Sequence, residues 1–86
     1  MSAMYNVRIS VTLLPSILDP KGKASLGALK NLGFDTVESV RIGKLIDLEI
    51  NTATEQEACE AAEHAARKLL ANEVMETFEI LSVEEK

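Results

Sequence analysis

The sequence predicts an α+β domain, a small and mostly antiparallel sheet with two helices on one face. Three observations carry that prediction. Strand-type alternation of apolar and polar residues appears at Tyr5–Leu13, around Val40–Ile50 and at Glu76–Val83. Helix-type spacing with recognisable ends separates them, at Pro20–Leu32 and from Glu55 to about Ala71. The 86 residues suffice for one domain and leave no linker long enough to divide it. Residues 1–3 and 84–86 fall outside the patterns and are expected to fray.

The first strand is the cleanest element. Tyr5, Val7, Ile9, Val11 and Leu13 face one way, and Asn6, Arg8, Ser10 and Thr12 the other. Leu14-Pro15 ends it, because proline cannot donate to a ladder and restricts the residue before it. Asp19-Pro20 opens the first helix, Asp19 as N-cap and Pro20 at a position whose donor had no partner. Ala28, Leu29 and Leu32, with Leu26 at the margin, make its apolar stripe, while Lys21, Lys23 and Lys30 stay wet. Gly33 supplies a left-handed C′ position, and Phe34 at C″ can pack back on Leu29.

The central stretch has the longest strand character. Positions 40, 42, 46, 48 and 50 are β-branched or Leu and alternate with Arg41, Asp47 and Glu49; only Lys44 interrupts the apolar row. Two arrangements fit: a hairpin of Val37–Ile42 and Lys44–Ile50 turning at Gly43-Lys44, or one strand bent at the glycine. The Gly-containing loop favours the hairpin narrowly, although the alternation passes through position 44 without a change of phase.

Thr54-Glu55-Gln56-Glu57 reads as a capping box. Ala58, Ala61, Ala62, Ala65 and Leu69, flanked by Ala66 and Leu70, line one face of the helix that follows. Acidic side chains fill its early turns and His64, Arg67 and Lys68 its late ones, as the helix dipole prefers. Asn72 is a candidate left-handed stop. The last strand turns Phe78, Ile80 and Val83 inward. The order is strand, helix, one or two strands, helix, strand, and in the two-strand case β-α-β-β-α-β, which resembles the ferredoxin-like topologies. The uncovered sheet face and long edges favour dimerisation through the sheet.

Composition narrows the function classes. A net charge of −5 opposes nucleic-acid or anionic-membrane binding, since both need a basic stripe. The charge is uneven: residues 1–44 carry +3 and residues 45–86 carry −8, so copies or partners can present complementary surfaces. One cysteine, Cys59, excludes an internal disulfide and fits a reducing, cytoplasmic setting. No apolar run is long enough for a membrane span or signal segment. Aromatics are only 3% of the chain, so the core must be aliphatic and thin, and oligomerisation would support it.

Catalytic constellations are missing from the pattern. The one cysteine and one histidine, Cys59 and His64, are five residues apart on a helix, roughly 140° around its axis, and diverge. His64 pairs better with Glu60, four residues earlier. No ligand set has metal-binding spacing. Lys21-Gly22-Lys23 at a helix start is a weak phosphate signal without a glycine-rich loop around it. Arg41 and Lys44, bracketing Gly43, are either solvated charges at a hairpin tip or cations for acidic groups on a partner or a second copy.

Leu18-Asp19-Pro20-Lys21-Gly22, Val40-Arg41-Ile42-Gly43-Lys44 and Leu69-Leu70-Ala71-Asn72-Glu73-Val74-Met75-Glu76 occur in an order and spacing that resemble the PurS family, from Met4 to about Ile80. That family is the small subunit of bacterial and archaeal phosphoribosylformylglycinamidine synthase. The resemblance implies a non-catalytic subunit of a purine-biosynthesis ligase. A PurQ-like glutaminase would release ammonia from glutamine. A PurL-like synthetase, using ATP and magnesium that this subunit does not itself bind, would couple the ammonia to formylglycinamide ribonucleotide. The small subunit would form dimers or higher assemblies, bridge the two and support ammonia transfer. By position, Asp19, Pro20 and Gly22 match the family's helix-opening motif, Arg41, Gly43 and Lys44 its central motif, and Leu69, Leu70 and Asn72 its helix exit. Glu73 stands where the family often has proline, Met75 where isoleucine is common, and Leu14-Pro15 replaces a more polar lead-in.

The competing class is a free-standing, ferredoxin-like regulatory module that binds a small ligand at its dimer interface.

Overall fold

The computed structural model describes residues 2–86, in the order β1 (Ala3–Leu13), α1 (Pro20–Asn31), β2 (Lys44–Thr52), α2 (Glu55–Ala65, continuing as a π turn over Ala66–Leu70) and β3 (Glu76–Glu85). The fold is α+β with one three-stranded antiparallel sheet, in which β1 is central and β2 and β3 are its edges. The middle of the chain therefore contributes one strand. The hairpin at Gly43-Lys44 does not form, because Val37–Gly43 has no strand beside it and lies in coil until β2 reaches β1 at Lys44↔Val11. Met1 lies outside the described residues. The other end is ordered: Glu84 and Glu85 pair with Asn6 and Tyr5, and the Lys86 amide donates to the Met4 carbonyl at 2.7 Å, so the expected fraying there is not found.

The core is one sheet face under one helix. Val7, Ile9 and Val11 of β1 are fully enclosed, with Tyr5 beside them, and Ala58, Ala62 and Ala66 of α2 press down on them. Small alanine side chains let the helix lie close to the strands, so each buried Val or Ile contributes about 1.5–3 kcal/mol. Ile46, Leu48 and Ile50 on one flank and Phe78, Ile80 and Val83 on the other are half-buried against this centre. Ile80 and Val83 are three apart, which a regular strand would send to opposite faces. A bulge at Leu81 restores them to one face, since Ile80 pairs with Ile9 while Val83 pairs with Val7.

The π turn corrects the expected helix stripe. Ala71 donates to the Ala66 carbonyl five residues back, at 2.9 Å, and this wider turn carries Leu70 inward and leaves Leu69 exposed. Asn72 does not adopt a left-handed conformation either. Ala71 ends the helix in extended backbone, and the Asn72 side chain caps the next turn by accepting from the Val74 amide at 3.1 Å.

The two helices do not share a face. Only α2 lies on the sheet, whereas α1 stands off it and buries only Gly22 among its residues. The molecule measures 55 × 27 × 13 Å, with a radius of gyration of 16.6 Å. A compact chain of this length would have about 12 Å. Residues 14–43 thus form an arm projecting from one end of the sheet. Leu18, Leu32 and Phe34 on the arm are exposed, so the apolar stripe read for α1, which includes Leu32, does not pack on the sheet.

Candidate functional site

The three sequence motifs converge where the arm leaves the sheet. Asp19 is the keystone. Its buried carboxylate caps α1 by accepting from the Gly22 amide at 2.9 Å, and its other oxygen accepts from the Ile42 amide at 2.7 Å, joining the first motif to the second. These bonds, that from Ile42 first, hold its carboxyl below the usual carboxylate range, and the Arg41 charge adds to the effect. Pro20 follows at the first helical position, as expected.

Gly22 and Gly43 are needed for close approach. A methyl group on Gly22 would collide with the Val40 carbonyl oxygen, and one on Gly43 would sit 2.5 Å from the Val11 carbonyl oxygen. Both contacts are with backbone, which cannot swing away.

Arg41 is engaged within its own chain. Its guanidinium donates to the carbonyls of Leu14 at 2.8 Å, Leu13 at 3.0 Å and Ile17 at 3.3 Å, tying the end of β1 and the following loop to the return segment. It is therefore a clamp on loop carbonyls rather than a solvated hairpin tip. Lys44 sits on the α2 side of the sheet, as its place in the apolar row predicted, and is likewise engaged: Nζ lies 3.7 Å from Glu76 and 3.5 Å from the Leu70 carbonyl at the helix exit.

Glu76, the last residue of the third motif, is one to which sequence reasoning gave no role of its own. Half-buried at the start of β3, it pairs with Lys44 and also accepts from the Asn72 amide at 2.8 Å, so it links the second motif to the third. A signal existed. Lys44 and Glu76 each interrupt an inward apolar row, and both rows flank the same end of β1. The Leu14 amide completes the junction by donating to the Met75 carbonyl at 2.8 Å. Of the nine motif residues, Leu69 is the one whose position no internal contact explains; it is 83% exposed, beside exposed Val74.

A cleft of about 480 Å³ opens beside the arm root, lined by Leu18, Leu26, Lys23 and Val40, with Asp19 and Arg41 at its base. Both of those charged groups already serve backbone partners. On α2, the anticipated Glu60–His64 pair is replaced by a bond from Gln56 to Glu60 at 3.3 Å. The capping box is half formed: Thr54 accepts from the Glu57 amide, but the Glu57 carboxylate takes the Thr52 hydroxyl instead. Among the described residues no group of three or more His, Cys, Asp or Glu is placed to hold a metal, and no helix is long and apolar enough to cross a membrane.

Comparison with known proteins agrees with this geometry. The family model for PurS, phosphoribosylformylglycinamidine (FGAM) synthase, matches residues 6–84. The phosphoribosylformylglycinamidine synthase subunit PurS of a Synechocystis species is 45% identical over 86 residues, covering 98% of this chain and 86% of that protein. The structure of Thermus thermophilus PurS superposes with a TM-score of 0.86 at 37% identity, over 96% of this chain and 98% of that one. A chain in the structure of PurLQS from Thermotoga maritima does so at 0.83 with 29% identity, over 96% and 98%. These matches run through the arm as well as the sheet, and they give no support to a free-standing ligand sensor. The arm root, built from three motifs whose residues mostly hold one another, is that of a family member: the chain belongs to the PurS family, the small subunit of FGAM synthase.

Proposed function

We propose that this chain is the non-catalytic bridge of a cytoplasmic FGAM synthase complex, joining a PurL-like synthetase to a PurQ-like glutaminase and supporting the passage of ammonia between them. The observation that carries the proposal is the likeness, arm included, to a chain of the PurLQS structure. ATP and magnesium belong to the synthetase in this scheme, and the chemistry stays with the partners.

The motif residues act here by shape. Asp19, Pro20, Gly22, Arg41 and Gly43 fix the angle at which the arm leaves the sheet. Lys44, Leu70 and Asn72, through Glu76, fix the helix exit beside it. What the partners meet is the surface so positioned: the arm with Leu18, Leu32 and Phe34 on one side, and the exit with Leu69 and Val74 on the other. Apolar side chains so exposed on a small chain mark interaction surface.

The test is product formation by purified synthetase and glutaminase subunits, with and without this chain, using glutamine or ammonia as nitrogen donor. Glutamine-dependent activity should require the chain while ammonia-dependent activity persists without it. Equal glutamine-dependent activity in its absence, with partners shown competent alongside their own small subunit, overturns the bridging role.

A further inference from the structure

The sheet ends in two free edges, and β1 shows which backbone groups face them. The Lys86 amide donates to the Met4 carbonyl and the Leu14 amide to the Met75 carbonyl, so even-numbered residues of β1 bond toward β3 and odd-numbered ones toward β2. Val7 pairs with Leu48 and Ile9 with Ile46, so the even-numbered residues of β2 turn their amides and carbonyls to β1. Those of Leu45, Asp47, Glu49 and Asn51 point the other way, where they have no hydrogen-bond partner among the described residues.

The two edges are not equally open. On β3 the bulge at Leu81 breaks the row of backbone groups, and the Arg67 guanidinium covers the flank, 5.5 Å from the centre of the Phe78 ring and held by Glu63 and Glu73. β2 pairs through nine residues without proline or bulge. Glu63 and Arg67 line a cleft with Phe78 and Ile80, so Ala61 and Ala65, on the opposite flank of α2, lie toward β2. Ile46, Leu48 and Ile50 are left half-buried under small side chains, with their outer flank uncovered.

We propose that a β-strand of a partner subunit adds to the free edge of β2, and that this strand is aliphatic on one face and carries Lys or Arg on the other. The alternation of β2 sets that chemistry. Side chains of the added strand on the α2 side would lie against Ile46, Leu48 and Ile50, and those on the other side beside Asp47 and Glu49. Each acid is held on one flank, by Arg8 or Lys86 at 2.8 Å, yet their side chains remain 60% and 58% exposed. Residues 45–86 hold three Lys/Arg against eleven Asp/Glu, so the surroundings also favour a basic strand. A second copy of β2 is the wrong occupant: antiparallel pairing of two such strands about their middle sets Asp47 against Glu49, Asp47 against Asp47 or Glu49 against Glu49. The proposal deepens the bridging reading and rests on it for the identity of the partner, a synthetase or glutaminase subunit.

Hydrogen exchange on the full chain, alone and with each purified subunit, reads this edge directly. The Leu45, Asp47, Glu49 and Asn51 amides should exchange freely in the chain alone and slow by about tenfold or more when the subunit that supplies the strand is added. The Ile9 amide at the centre of β1 should stay protected throughout. Glu49→Pro removes one donor at the free edge and leaves the ladder to β1 in place. It should weaken binding of that subunit about tenfold relative to Glu49→Gln, which keeps the amide. A chain that binds neither subunit overturns the bridging reading and this proposal with it. Binding with the four amides still exchanging freely, or binding equally tight in the two Glu49 variants, overturns this proposal and leaves the bridge standing. So does protection of those amides in the chain alone that fades on dilution, which would assign the edge to a second copy.

Discussion

Two glycines on one helix separate the roles that glycine can play. Gly22 touches the Val40 carbonyl, so Gly22→Ala forces the arm root apart and should cost about 1–3 kcal/mol of local stability. Gly27 has open space around its Cα, and Gly27→Ala should add about 1 kcal/mol of helix stability. Because α1 stands off the sheet, both effects are read at the arm: α1 amides should exchange faster in the first variant and slower in the second, with Ile9 unchanged in either. Asp19 adds a pH dependence of definite sign. Its carboxyl is held below the ordinary range in the folded chain by the Ile42 and Gly22 amides, so over that range the native state binds fewer protons than the unfolded one. The stabilisation is complete above the unfolded-state pKa and disappears as pH falls through the lower, folded value. Protection of the Ile42 amide should therefore fall in acid, and Asp19→Asn should flatten that profile; an unchanged profile would remove Asp19 as the keystone.

Elements differ in how much of them local pattern could reveal. β1, the N-cap of α1 and its Schellman end were legible because each depends on residues within a few positions: Gly33 is left-handed at φ 97°, and the Gly33 and Phe34 amides bond back to Lys30 and Leu29 as the Gly-Phe pair suggests. The bulge at Leu81 and the π turn at Ala66–Leu70 were not legible, since each adds one residue to reconcile a register set by a distant strand. Val37–Ile42 has the alternation of a strand, but alternation supplies no neighbour to pair with. The junction of the motifs was legible as three stretches and not as one place, because the Lys44–Glu76 link spans 32 positions of chain. The consequence for stability is a sharp division between elements. Ile9, fully enclosed under α2, should lose about 2–5 kcal/mol on Ile9→Ala and lower the midpoint of cooperative unfolding. Leu32→Ala, three-quarters exposed on the arm, should change that midpoint by no more than about 0.5 kcal/mol.

At the scale of the molecule, a thin core carries a long projection. The sheet and α2 bury their own apolar residues, while the arm presents Leu18, Leu32 and Phe34 to its surroundings and stretches the chain to 55 Å. A free chain gains nothing by exposing them, so their contribution must be realised in contact with other chains. Leu32→Asp combined with Phe34→Asp separates folding from assembly. Neither side chain supports the core, so circular dichroism and the unfolding midpoint of the chain on its own should match those of the unsubstituted chain. Two carboxylates placed in an apolar contact would be desolvated without partners, a cost large enough to weaken association strongly. In the reconstituted complex, glutamine-dependent product formation should then fall toward the level seen without this chain, while ammonia-dependent formation holds. A variant that folds normally and supports full glutamine-dependent activity would show that the arm faces solvent in the working complex, and would move the search for the partner surface to Leu69 and Val74 at the helix exit.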